Sequence, residues 1–120
     1  MGAELAVHAE DPNQVNLAHF TDVSVAEVTL EAGVWVIIGR AKVVNLDGDI
    51  QGVTARIVHD ANVIIDNVTS YAPYEQDRCL AVQATLKLRK PETVKLMCST
   101  FDGYAVCRSL IAFKVDAAKP

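Results

Sequence analysis

Three histidines, three cysteines and one short run of side-chain oxygens have the residue types that site chemistry needs. A thiol nucleophile requires an imidazole base beside it, and Cys79, Cys98 and Cys107 carry no local Cys/His signature. Nor do they fit a close-paired metal spacing such as C-x-x-C. They read as buried reduced thiols, with a Cys98–Cys107 disulfide left open should their strands be neighbours. His59 precedes Asp60 and reads as a strand end before a turn. His8 and His19 fall among the first twenty residues, and two imidazoles without a third ligand make a poor zinc site. Asn45, Asp47 and Asp49 in NLDGD offer oxygens of the kind calcium takes. The run lacks the glutamate and spacing of an EF-hand, and Asp-Gly reads first as a hairpin turn. The sequence has neither a G-x-S-x-G elbow nor a phosphate loop. Catalytic residues, metal and cofactor are therefore not expected, and the protein is expected not to be an enzyme. Asn67-Val68-Thr69 is a glycosylation triplet, which matters only in a secreted chain. Tyr71, Tyr74, Arg78, Phe101 and Tyr104 lie in or beside turn-rich stretches and form a candidate ligand-binding rim.

The elements that would hold these residues have period two, broken by turn residues. TDVSVAEVTL alternates at Val23 and Val25 and changes phase by Val28 and Leu30, which predicts a bulge. EAG, NLDGD, DAN, RKPE and FDG mark turns, and YAPYEQDR a looser connection. CLAVQATLKL places Leu80, Val82, Ala84, Leu86 and Leu88 on one face, and TVKLMCST turns Val94, Leu96 and Cys98 inward. Seven or eight strands with short turns and no convincing helix predict an all-β, two-sheet antiparallel β-sandwich. The expected layout is an N-terminal arm over residues 1–20, the sandwich over 21–116 and a polar tail over 117–120.

VWVIIGRAKVVN departs from the simple pattern. Its regular face is Trp35, Ile37, Gly39, Ala41 and Val43. The opposite face begins with Val34, Val36 and Ile38, then turns to Arg40 and Lys42. A sandwich sheet ordinarily shows one face to water, so the extra apolar row needs a cover. In the final strand Leu110 and Ala112 likewise stand back to back with Ile111 and Phe113. The two strands are expected to be adjacent. Val34, Val36, Ile38, Leu110 and Ala112 are the candidate oligomer interface. The competing cover is the arm, whose Leu5, Val7, Val15, Leu17 and Phe20 could fold back over the sheet or cross to a neighbour.

At 120 residues the chain can bury one core without metals or disulfides, and its 51% hydrophobic content excludes general disorder. A net charge of −4 argues against nucleic acid as a partner. The longest apolar run, Val34 to Ile38, is too short to span a bilayer, so no membrane partner is expected. MGAELAVHAEDP does not read as a signal peptide, and the expected location is the virion or the cytoplasm.

The succession TLEAGVWVIIGRAKVVN, GVTARIVHDANVIID, LAVQATLKLRKPETVKLMCST and LIAFKV resembles the jelly-roll heads of the C1q and tumour-necrosis-factor-like superfamily, over roughly Val23 to Val115. The resemblance implies jelly-roll topology and a homotrimer packed about a three-fold axis through one sheet. It departs from animal members in its 6% aromatic content and in having no Gly-X-Y stalk before the domain. The resulting expectation is a non-enzymatic assembly protein, a trimeric head or decoration domain on a bacteriophage capsid or tail fibre, attached through its arm. The alternative is a lectin-like or receptor-binding module working through the tyrosine rim.

Overall fold

The computed structural model describes residues 6–11, 13–59 and 63–115, and all of the regular structure within them is strand. The strands are β1 (Ala6–Asp11), β2 (Val15–Ala18), β3 (Val23–Leu30), β4 (Gly33–Asn45), β5 (Gln51–His59), β6 (Val63–Ala72), β7 (Asp77–Leu88), β8 (Glu92–Ser99) and β9 (Asp102–Val115). They form two antiparallel sheets, β1-β9-β4-β7 with β2 also on β9, and β3-β8-β5-β6. This is jelly-roll order, and it agrees with the all-β sandwich that the alternation predicts.

The core is the meeting of the two inward rows. Trp35, Ile37, Ala41 and Val43 of β4 pack with Leu80, Val82, Leu86 and Leu88 of β7 against Val53 and Ile57 of β5 and Val94, Leu96 and Cys98 of β8. Gly39 stands in the same inward row. A Cβ there would press on the Leu96, Val82 and Leu110 side chains, so its absence lets the sheets close. The phase change in β3 is a register shift between Ser24 and Ala26 against β8.

Several turns do a different job from the one their residues announce. NLDGD does not close a hairpin, because β4 and β5 lie in opposite sheets. EAG, RKPE and FDG likewise carry the chain from one sheet to the other. Among the described strands, β5 and β6 are consecutive and paired, and the DAN turn between them lies outside the described residues. The arm is also reassigned. β1 and β2 extend the sheet edgewise along β9 rather than lying across its outer face. Val7, Ala9 and Val15 pack on the core and Leu17 belongs to it, so β1 and β2 are part of the sandwich. Leu5 and the tail at 117–120 fall outside the described residues.

Candidate functional site

β4 and β9 are neighbours, and their outward rows meet pair by pair: Val34 with Val115, Val36 with Phe113, Ile38 with Ile111. Ile38, Phe113 and Val115 are 39%, 44% and 41% exposed, and Val34, Val36 and Ile111 are half-buried by one another. The flanks are mixed: Lys87, Thr85 and Gln83 on β7, Ala6 and His8 on β1. Toward the other end the row becomes Arg40 and Lys42, the latter 4.0 Å from Asp77. The outer face of this sheet is thus half apolar and half charged along its length.

Two residues expected in this patch face the other way. Leu110 and Ala112 are fully buried in the core, and Ile111, Phe113 and Val115 take their place outside. The misleading signal is charge: Leu110 and Ala112 share a row with Arg108 and Lys114, which invites reading that row as wet. Both cations are accommodated on the inward side. Arg108 donates from Nη1 to the Val25 carbonyl (2.7 Å) and from Nε to that of Asn13 (3.0 Å), and pairs with Asp11 (2.7 Å). Lys114 sits at the sandwich end, 3.3 Å from Glu31 and 6.0 Å from the Trp35 ring centroid. Near Cys107, at φ +53, the register of β4 on β9 shifts between Arg40 and Lys42. That shift changes which residues face inward along β9: Ala105 on one side of it, Arg108, Leu110 and Ala112 on the other. No residue type in the strand announces it.

The second sheet presents a contrasting exterior. Thr29 and Thr93 share a hydroxyl hydrogen bond (3.1 Å), as do Thr54 and Thr69 (3.0 Å), and Arg56 pairs with Asp22 (2.6 Å). A shallow groove there is lined by Thr21, Asp22, Val58, Ile64 and Met97.

No family model matches this chain, and no curated protein matches it. Solved structures do. Eiger TNF from S. frugiperda superposes with a TM-score of 0.71 at 12% identity, over 97% of this chain and 95% of that one. A chain of infectious bursal disease virus, Gx strain, gives 0.60 at 11% identity, over 96% of this chain and 34% of its own length. A chain of the T13 particle of that virus gives 0.56 at 12%, over 91% and 31%. The fold is a TNF-like jelly roll. The chain spans almost the whole of the TNF and about a third of the viral chains.

Within the jelly roll, the rim residues gather at one end. β4 finishes there at Asn45, β6 at Ala72 and β8 at Ser99, while β7 and β9 begin there. Tyr71 lies over Gly52 on the outer face of the second sheet and Tyr74 in the β6–β7 loop, both more than half exposed. Arg78 and Tyr104 stand opposite Val43 and Val44 on either side of β4. Phe101 packs on Phe20 (ring centroids 5.8 Å) and His19 (5.9 Å), two residues of the expected arm.

The candidate chemistry disperses. His8 is on β1 beside Glu10 (3.4 Å), His19 is at the Asn45 end, and His59 meets Glu92 (2.8 Å) at the opposite end. Among the described residues, no three His, Cys, Asp or Glu side chains are grouped to hold a metal. Two of the NLDGD side-chain oxygens serve as turn acceptors. Asn45 Oδ1 accepts from Asp47 N–H, and Asp47 Oδ2 accepts from Asp49 N–H and Gln51 Nε2. The cysteines are free thiols, but only Cys98 is buried. β8 and β9 lie in different sheets and Cys107 is outside, so the Cys98–Cys107 bridge does not form. Burial pushes the Cys98 thiol up to about 12, which keeps it protonated and inert.

Proposed function

We propose that this jelly roll is a non-enzymatic assembly domain that forms a homotrimer through the outer face of the β1-β9-β4-β7 sheet. The observation that carries the proposal is the row of three apolar cross-strand pairs, Val34–Val115, Val36–Phe113 and Ile38–Ile111. Such a patch exposes on the order of 300 Å² of apolar surface, the lower end of the range for the largest patch on a typical monomer. At about 25 cal/mol per Å² its burial returns roughly 8 kcal/mol gross. That is comparable to the cost of association, so the patch alone is insufficient and the interface must extend over neighbouring surface. Thr85, Gln83 and Ala6 are small or uncharged neighbours over which it can extend, and Lys87 beside Val34 bounds it on the β7 side.

The likeness to both a TNF and viral capsid chains supports an assembly role on this fold. We place the domain on a bacteriophage particle, as a capsid decoration protein or tail-fibre head. The test is native mass measurement and sedimentation of the wild type beside Val36→Asp and Ile38→Lys. A wild-type trimer that both charges convert to folded monomer supports the reading. A monomeric wild type at high concentration, or a trimer indifferent to both charges, overturns it. Binding of the purified trimer to phage particles lacking it then tests the placement.

A further inference from the structure

The Asn45 end is a built surface. Four connections meet there: β2–β3, β4–β5, β6–β7 and β8–β9. Two fully buried polar side chains fasten them. Asn45 donates to the carbonyls of Asp49 (2.9 Å) and Ala72 (2.8 Å), while its backbone bonds Glu75 N–H and the Gln76 carbonyl. Thr100 donates to the Gly52 carbonyl (2.9 Å), and the backbone of Phe20 donates to Thr100 (3.0 Å). Gly103 approaches β4 so closely that a Cβ would collide with the Val44 carbonyl.

On this fastened frame stand Phe20, Leu46, Ile50, Tyr74 and Phe101, all exposed. His19 and Phe20 hold φ of 54° and 55°, a region that phenylalanine enters only at a cost. The backbone bonds to Phe101 and Thr100 keep them there. Around the apolar cluster, Asp47, Asp49, Glu75 and Asp102 have no cation partner among the described residues. Asp22 and Asp77 pair with Arg56 and Lys42. Arg78 is the cation left over, its guanidinium bonded to a backbone carbonyl. Both described chain ends leave from the opposite end, Ala6 beside Phe113 and Val115 beside Val34.

We propose that this end is a recognition tip for a polypeptide segment that presents apolar side chains flanked by lysine or arginine. Charge complementarity selects that partner. Unneutralised carboxylates around an apolar centre attract a basic, apolar segment and offer a neutral sugar no counter-charge. Leu46 and Ile50 add aliphatic surface, which suits side-chain packing rather than stacking of sugar rings. The tip stands apart from the apolar sheet face, so this inference does not depend on trimer formation.

The experiment uses the full chain on an array of peptides about a dozen residues long, with Lys/Arg and Leu/Phe/Trp content varied independently, in parallel with a glycan array. Binding should require both residue classes and weaken as salt rises. In solution, Phe20→Gly, Ile50→Ser and Asp102→Lys should each weaken the best peptide by about tenfold or more. Phe20→Gly should meanwhile melt no lower than the wild type, because glycine adopts its φ freely. Val36→Asp should leave peptide binding intact whatever it does to assembly. Glycan binding alone, peptide binding indifferent to basic residues or to the tip substitutions, or no binding at all would overturn the proposal.

Discussion

The two outer faces of this sandwich solve the same problem in opposite ways. On β3-β8-β5-β6 two outward cross-strand pairs are threonine with threonine and Glu27 stands opposite Lys95, while the apolar Val58, Ile64 and Met97 are gathered in one shallow groove beside Asp22. On β4 and β9 the corresponding pairs are valine with valine, valine with phenylalanine and isoleucine with isoleucine. Both sheets belong to one fold, carry complete inward rows and share one core. The jelly roll therefore does not require an apolar exterior, and its own second sheet shows what a water-facing exterior looks like here. On the proposed reading, the apolar row is covered by further copies of the chain. That contrast is the strongest functional statement the molecule makes.

Matched substitutions break the comparison most directly. Phe113→Lys should weaken self-association at least a hundredfold, about 3 kcal/mol or more, by leaving a charge unpaired in the contact. Thr54→Lys, on the other face, should leave the native mass unchanged. Equal effects would erase the distinction between the faces. Next in size is Leu110→Ala. It should lower stability by about 2–5 kcal/mol in urea titration, as a cavity in a closed core does. A selective loss of assembly with stability intact would return Leu110 to the interface.

Arg108→Met should cost about 1–3 kcal/mol, because the Val25 and Asn13 carbonyls lose their donor. Amide exchange should rise in β1 and β2, which this side chain ties to β3. A milder effect is set by pH. The Asn13 backbone N–H, and then the Arg108 charge, hold the Asp11 carboxyl below the usual carboxylate range. A lowered carboxyl contributes stability above its unfolded value near 4 that is lost as pH falls through the lower folded value. Acid titration should show that loss in the wild type and not in Asp11→Asn. The smallest effect belongs to the threonine ladder. Thr54→Val with Thr69→Val should change stability by less than about 1 kcal/mol. It should also begin to give the second sheet an apolar exterior, and any self-association it creates would show how little is needed.

Much of this was legible residue by residue. The inward row of β4, the alternation of β7 and β8, and the bulge in β3 all follow from period two. So does the surplus of Val34, Val36 and Ile38, because a strand has two faces and both were apolar there. The final strand was legible only as a pair of rows. The charges mark the wrong row as outward, since Arg108 donates to carbonyls 83 and 95 residues distant and has its counter-charge in Asp11. NLDGD had the residues of a tight turn, yet Asn45 serves it as a buried donor to carbonyls brought from two loops.

By itself, then, the sequence determined what depends on neighbours along the chain: the strands from β3 onward, the all-β class, the inward rows of β4, β7 and β8, and the extra apolar row of β4. Alternation and turn residues act over a few peptide units, and that range suffices. Tertiary structure alone decided which row of β9 lies outside, which turns cross between sheets, and that four distant loops share one end. Those outcomes depend on pairing register and on donors and acceptors contributed by remote strands, and local periodicity carries no record of either.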